Sequence, residues 1–210
     1  EAVAPARKVK TVGDLFNEYI AQLKLEGRLG YALSVQQVYN SLYKYKGHLD
    51  IYFSEIDVNW LKSYEVWLRC SKLADNTIGI RFRTLRAVYN LALTEGLVKP
   101  DCYPFKKYKV SKLHKETAKR AITKEQMKQV IEYDTSGGRF YKRLAVDMFT
   151  FSYLMGGINF TDMACLTGKN IEGERLVYVR QKTKKLIMLP LQEKAIEIMN
   201  RYRSPQRRYI

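Results

Sequence analysis

The fold of this chain is decided by residues 153–171, YLMGGINFTDMACLTGKNI, together with residues 174–191, ERLVYVRQKTKKLIMLPL. The first stretch continues an apolar segment, meets a Gly-Gly pair and resumes, which predicts a buried helix followed by a helical turn. The second has two apolar runs around a basic centre, which is typical of paired strands, here near Arg175 to Gln181 and Leu186 to Pro190. The sequence therefore predicts a helix, a helical turn and a two-stranded hairpin that carries Lys182 at its tip.

This order of elements resembles the front half of the catalytic domain of tyrosine recombinases, the phage-integrase family that cuts and rejoins DNA through a 3′-phosphotyrosine intermediate. The helix-turn segment of that family reads T-G-x-R-x-[ST]-[ED]-L-x-x-L, which places Gly157 on the glycine, Asp162 on the acidic residue and Leu166 on the last leucine. Asn159 stands at the arginine position. The family's general-acid lysine begins the hairpin turn a few residues before a Pro-Leu pair, as Lys182 does here.

The resemblance implies specific roles for these residues. Lys182 is expected to protonate the leaving 5′ oxygen. Asn159 can donate a hydrogen bond to phosphate but brings no charge, and Asp162 is expected to support the site or to partner a helix end. The family's H-x-x-R segment, second His or Trp and nucleophilic Tyr do not occur before Ile210, and neither Tyr202 nor Tyr209 stands in their context. We therefore expect a fragment of an enzyme that is inactive by itself.

Charge supports a nucleic-acid partner independently of that resemblance. The chain has 37 Lys and Arg against 21 Asp and Glu, a net charge of +16 and a pI of about 9.7. Residues 99–210 hold 24 of the basic and 11 of the acidic side chains, so most of the excess lies in the second half. A uniformly basic solvated surface would not give this asymmetry, whereas a polyanionic partner such as double-stranded DNA suits it.

The first half of the chain predicts a small helical domain over residues 11–98, after a flexible leader at 1–10. A Thr11-x-x-Asp14 capping box opens the first helix, and a second helix is expected over about 33–46. Asp57 is expected to cap the third helix, and Asp75 or Asn76 the fourth, which ends near Gly96. The resemblance implies a SAM-like core-binding domain of four helices that lies on DNA.

Two sets of basic residues are the candidate DNA contacts. The fourth helix carries Arg81, Arg83 and Arg86 beside its apolar stripe, at a spacing that can follow a phosphate backbone. Residues 99–120 have the composition of a basic interdomain linker without a core of its own, and they supply the lysines Lys106, Lys107, Lys109 and Lys112. Solvated helix arginines and an ordinary linker are the alternative interpretations.

The second half predicts a mainly helical α+β domain over residues 121–210, the N-terminal part of a catalytic domain. Thr123 and Gln126 form a second capping box, residues 139–156 a long apolar helix, and residues 192–202 a final helix before a basic tail. The apolar stretch from 144 to 160 is too short and polar to span a bilayer and favours a buried helix. The chain also opens at Glu1, which suggests that an N-terminal neighbour has been removed.

Other function classes find no support in the sequence. Three widely spaced cysteines and two histidines predict neither a disulfide framework nor a metal site, and favour a reducing cytoplasm. No glycine-rich phosphate loop or metalloprotease motif occurs, so no cofactor is expected. The intact parent is expected to act as a tetramer on DNA, and this chain to be a monomer or weak dimer. A noncatalytic helical DNA-binding regulator and a basic RNA-binding module are the alternatives.

Overall fold

The computed structural model describes residues 10–118 and 121–203, and the chain divides into two compact units, Glu1–Ala118 and Lys119–Ile210. The expected leader lies outside the described residues except for Lys10. The last two residues of the expected linker and the basic tail beyond Arg203, including Tyr209, also lie outside them. Each unit has a hydrophobic core of its own. The predicted fold class, mainly helical with a small antiparallel sheet, is confirmed.

Four α-helices form the first unit: α1 (Val12–Leu25), α2 (Leu29–Lys46), α3 (Val58–Cys70) and α4 (Asp75–Thr94). The capping box at Thr11 and the Asp57 cap are both present, because each needs only a side-chain oxygen placed three residues before a free backbone N–H. The second helix begins four residues earlier than predicted. Large side chains from all four helices fill the core, including Phe16, Leu42, Tyr64, Phe82 and Tyr89.

The start of α4 differs from the prediction. Ala74 is the cap residue, and its side chain makes no capping hydrogen bond. The Asp75 carboxylate instead accepts from Arg69 at 2.6 Å. Asn76 donates to the backbone oxygen of Lys115 at 2.8 Å and accepts from its backbone N–H at 2.9 Å. Both predicted caps are therefore used to hold other segments of the first unit.

Residues 100–113 differ most from the sequence expectation of a linker. They form three short 3₁₀ turns, Pro100–Cys102, Pro104–Lys106 and Val110–Leu113, and they bury Phe105, Tyr108, Val110 and Leu113 in the core of the first unit. The lysines between these apolar residues are exposed. Residues 100–113, called the 3₁₀ strip below, are thus an amphipathic covering in which apolar anchors alternate with lysines, although their composition resembles that of a solvated linker.

The second unit contains α5 (Lys124–Ile131), α6 (Phe140–Leu154), α7 (Phe160–Ala164) and α8 (Glu193–Tyr202) around a small antiparallel sheet. The sheet has the order β1 (Ile171–Glu172), β2 (Arg175–Val179) and β3 (Leu186–Pro190). The predicted hairpin is β2 and β3, whose register pairs Val179 with Leu186. The sequence did not indicate β1, and β2 ends two residues earlier than predicted.

Helix α6 is half-buried rather than buried. Of its 15 residues only Asp147, Thr150 and Phe151 are buried, while Tyr141, Phe149 and Tyr153 are each about half or more exposed. Apolar residues occur all round this helix, and only one side packs on the core that includes Phe151 and the sheet. Its apolar composition predicted the helix correctly but not its degree of burial.

Candidate functional site

Five of the seven predicted DNA-contact residues in the first unit are exposed and make no internal ion pair. Arg83 and Arg86 lie on α4, and Lys106, Lys107 and Lys109 lie on the 3₁₀ strip. None of the five forms a salt bridge with another residue that the structure describes. Their charges are therefore available to an external anion. Binding of a polyanion to these side chains would release its condensed counterions into the water.

Arg81 has a different environment. Its side chain is half-buried, and its Nη1 donates to Oγ of Ser41 on α2. The hydroxyls of Ser41 and Tyr64 share a hydrogen bond of 2.7 Å, and both residues are buried. Burial raises the pKa of Tyr64, and the neighbouring Ser41 and Arg81 oppose that rise. Arg81 thus joins α2, α3 and α4 through a buried polar chain.

Lys112 also contacts the protein itself. Its Nζ lies 2.8 Å from Oε2 of Glu65 and 4.3 Å from the ring centroid of Tyr108. The same carboxylate accepts from the Tyr108 hydroxyl at 2.5 Å and from Arg69 at 3.0 and 3.1 Å. Burial of Glu65 acts to raise its pKa, but these hydrogen bonds outweigh burial and the pKa is lowered. Lys112 therefore fastens the 3₁₀ strip to α3.

Lys182 lies in the six-residue turn between β2 and β3. The turn is closed by Arg180, whose N–H donates to the Lys185 oxygen and whose oxygen accepts from the Lys184 N–H, both at 2.8 Å. Lys184 has the left-handed φ of +56°, which is uncommon for a residue with a side chain. Lys182 is exposed and has no salt bridge within the described part of the chain. The hairpin thus presents a cationic tip with a free ammonium group.

Asn159 and Asp162 lie together at the start of α7. The Asn159 side chain caps the helix by accepting from the Asp162 N–H at 2.9 Å, and its amide donates to Oδ2 of Asp162 at 2.7 Å. Asp162 is only 3% exposed, and its Oδ1 accepts from the backbone N–H of Gln181 at 2.9 Å. Sequence patterns could not indicate Gln181, because a backbone N–H is independent of residue type.

Tyr202 is poorly suited to act as a nucleophile. Its hydroxyl donates to Oδ2 of Asp147 at 2.7 Å, and burial together with this hydrogen bond raises its pKa to about 12. Arg201 also donates to both oxygens of Asp147, at 2.7 and 2.6 Å. These contacts join α6 to α8 within the second unit. Arg201 is therefore a structural partner of Asp147 rather than part of a free basic tail.

Metal centres and membrane spans are absent from the part of the chain that the structure describes. In it, no group of three or more His, Cys, Asp or Glu side chains is arranged to hold a metal ion. No helix within 10–118 or 121–203 is long and apolar enough to cross a membrane. The three cysteines are exposed and free.

Comparison with known proteins gives one family match. Residues 11–110 match the sequence model of the phage integrase SAM-like domain. These residues contain the four helices of the first unit and most of the 3₁₀ strip. No curated protein sequence matches the chain significantly.

Several solved structures share the fold of both units. A lambda integrase tetramer bound to a Holliday junction has a TM-score of 0.65 at 14% identity, over 93% of this chain and 55% of that chain. The Tn1549 transposon integrase in complex with circular intermediate DNA has a TM-score of 0.65 at 14% identity, over 96% of this chain and 68% of that one. A lambda integrase (75-356) dimer bound to a COC′ core site has a TM-score of 0.63 at 15% identity, over 91% and 69%. The chain thus spans about half the length of the first of these proteins.

Proposed function

We propose that the chain is a member of the tyrosine recombinase family and is the DNA-binding part of a site-specific recombinase or integrase of a mobile element. The observation that carries the proposal is a group of five exposed, internally unpaired cations on α4 and the 3₁₀ strip, in the unit that matches the integrase SAM-like domain: Arg83, Arg86, Lys106, Lys107 and Lys109. Within that unit, Arg81 and Lys112 have internal partners. The five other predicted contact residues form no salt bridge with any residue that the structure describes.

Contacts from these five cations would be made to the phosphate backbone. Each neutralised phosphate releases condensed counterions, so the affinity for duplex DNA falls as the salt concentration rises. Phosphate contacts position a protein on a duplex without reading its sequence. Sequence preference must then come from other side chains of the first unit or from other parts of the protein.

Fluorescence anisotropy with labelled duplex DNA tests this binding. We expect the affinity of residues 1–210 to fall steeply as salt is raised, with a slope set by the number of phosphates contacted. Equal affinity at low and high salt would refute the proposal. Preferential binding of a single-stranded RNA over the duplex would favour a basic RNA-binding module instead.

We also propose that Lys182 is the general acid of the cleavage step. In that step a tyrosine oxygen bonds to phosphorus, the bond from phosphorus to the 5′ oxygen breaks, and the Lys182 ammonium gives its proton to that leaving oxygen. A free ammonium at the tip of an exposed hairpin supports this role. Because residues 1–210 contain no H-x-x-R sequence, we expect them to form no covalent adduct with a nicked suicide substrate.

The acid role is tested in a longer protein that carries this chain together with an H-x-x-R segment and a nucleophilic tyrosine. There Lys182→Ala is expected to slow cleavage by typically 10²- to 10⁴-fold with little change in DNA affinity. A substrate with sulfur in place of the scissile 5′ oxygen should restore the rate, since a thiolate leaves without a proton. Normal cleavage by the variant, or no rescue by sulfur, would exclude Lys182 as the acid.

Assembly and location follow from the same proposal. The lambda integrase structures contain a dimer and a tetramer on DNA, and we propose that the protein likewise assembles on its DNA in the cytoplasm. Residues 1–210 are expected to sediment as a monomer or weak dimer without DNA. Duplex binding without any adduct, even in a longer protein with the missing motifs, would favour a noncatalytic regulator.

A further inference from the structure

Asn159 occupies the family's arginine position, and the structure shows what its amide does there. The side-chain oxygen accepts from the Asp162 N–H at 2.9 Å, and the side-chain nitrogen donates to the Asp162 carboxylate at 2.7 Å. The residue therefore uses both an acceptor and a donor on the same partner. An arginine has no acceptor and could not cap α7 in this way.

The Asp162 carboxylate links Asn159 to the hairpin. Its carboxylate is buried, with one oxygen bound to Asn159 and the other to the Gln181 N–H at 2.9 Å. Gln181 is the residue that immediately precedes Lys182. Its side-chain amide also lies 3.2 Å from Sγ of Cys165, just after α7. Gln181 lies in the same turn as Lys182 and is thus held to α7 through both its backbone and its side chain. The backbone anchor depends on the Asn159–Asp162 pair.

We propose that Asn159 and Asp162 are positioning residues that fix the start of the hairpin turn and thereby the reach of the Lys182 ammonium. The inference rests on the proposed role of Lys182 and assigns no phosphate contact to Asn159. A buried carboxylate that accepts hydrogen bonds from both sides holds the turn more firmly than a neutral acceptor would, because charge-assisted hydrogen bonds are the stronger ones.

Exchanging the two side chains gives a sharp test, because the exchange preserves every hydrogen bond. In Asn159→Asp with Asp162→Asn, an aspartate caps α7, the asparagine at 162 donates to it, and the asparagine oxygen accepts from Gln181. Each single substitution breaks the pattern. Asp162→Asn places two amide nitrogens face to face, and Asn159→Asp places two carboxylates together in a buried site.

Amide hydrogen exchange of Gln181, measured by NMR on residues 1–210, reports the anchor directly. We expect exchange roughly tenfold faster or more in each single variant, as the loss of a hydrogen bond to a charged group implies. In the double variant, the Gln181 N–H again has an acceptor, now a neutral amide, so its rate should lie clearly below that of either single variant and somewhat above the original. Circular dichroism of all three checks that the second unit remains folded. If one single variant unfolds, the other and the double variant still decide the matter.

Two results would overturn the proposal: a Gln181 rate unchanged in both single variants, or a double variant that exchanges as fast as the singles. Duplex DNA added to the same samples tests the link to Lys182. The side-chain resonances of Lys182 should shift in the original and double variants and shift less in the singles. If DNA shifts the Lys182 resonances in none of the samples, the proposed acid role is refuted. The Gln181 exchange rates would still decide separately whether the Asn159–Asp162 pair anchors the turn.

Discussion

At the scale of single residues, basic side chains of the same type have two different roles. Arg81 and Arg83 are two positions apart on α4, yet Arg81 is bound to Ser41 inside the unit and Arg83 is exposed without an ion partner in the described residues. Lys109 and Lys112 show the same contrast on the 3₁₀ strip. Only the member of each pair without an internal partner is available for the proposed DNA contact.

Replacing each arginine by alanine should separate the two roles. Arg81→Ala is expected to lower the free energy of unfolding by about 1–3 kcal/mol, since it removes a hydrogen bond to a buried Ser41–Tyr64 pair. Arg83→Ala should leave that free energy within about 0.5 kcal/mol and weaken duplex binding. Urea titrations and anisotropy measure the two quantities. A destabilised Arg83 variant that binds DNA normally would contradict this assignment.

The difference between these residues could not be predicted from the sequence. Arginines at 81, 83 and 86 all flank the same apolar stripe, and the partner that sets Arg81 apart is 40 residues away. Glu65, which engages Lys112, is 47 residues away. Spacing along one helix indicates which side chains leave the core, but not which of them meet a distant polar group.

At the scale of elements, the 3₁₀ strip is held to α3 by polar contacts as well as by its buried side chains. The Tyr108 hydroxyl donates to the Glu65 carboxylate, and the Tyr108 ring stacks on Phe82 with centroids 4.9 Å apart. Burial, and next its hydrogen bond to Glu65, raise the pKa of Tyr108. The hydroxyl therefore stays protonated and remains a donor.

Tyr108→Phe should lower the free energy of unfolding by about 1–2 kcal/mol, because it removes the donor and keeps the ring. Tyr103→Phe is the matched control, since Tyr103 lies in the same strip and its hydroxyl has no hydrogen bond to another described residue. Urea denaturation monitored by tryptophan fluorescence measures both. Equal effects of the two substitutions would show that the Glu65 contact contributes nothing.

The same carboxylate predicts a pH dependence. The folded pKa of Glu65 is lowered from an ordinary value of 4.5, so its contribution to stability is present above that value. The contribution is lost as the pH falls through the folded pKa. Glu65→Gln should therefore flatten the decline of stability below about pH 4.5. Unfolding curves from about pH 6 to pH 3 would test this, and parallel declines in both proteins would contradict it.

Local patterns explain which elements could be predicted. The caps at Thr11, Asp57 and Thr123 follow from side chains and N–H groups only three residues apart, and all three are present in the structure. Strand β1 has two residues and exists only by pairing with β2, so it has no periodicity of its own. Composition predicted a solvated linker for the 3₁₀ strip because lysines dominate its composition. The few apolar side chains that hold the strip to the core do not stand out in such an average.

At the scale of the whole molecule, the order of helices and strands along the chain predicted the fold better than any single motif did. The helix, turn and hairpin over residues 153–191 resemble one family, and the fold of both units agrees with solved integrases. The position of Asn159 could be predicted as a departure from the family, but its use as a helix cap bound to Asp162 could not. That use depends on the buried contact between α7 and the hairpin.

The central claim is that DNA is bound by the unpaired cations of α4 and the 3₁₀ strip, and not by net charge or by unpaired cations elsewhere on the first unit. Lys106, Lys107 and Lys109 replaced together by alanine reduce the net charge from +16 to +13. Replacement of Lys24, Lys44 and Lys62 on α1, α2 and α3 gives the same net charge and is the matched control.

The decisive measurement is the slope of log affinity against log salt for the original protein and these two variants, on several unrelated duplexes. The strip variant should bind all duplexes more weakly, and its slope should fall by roughly one for each phosphate that the variant no longer neutralises. The control should keep most of the original slope. An unchanged slope in the strip variant, or an equal reduction in the control, would contradict the account.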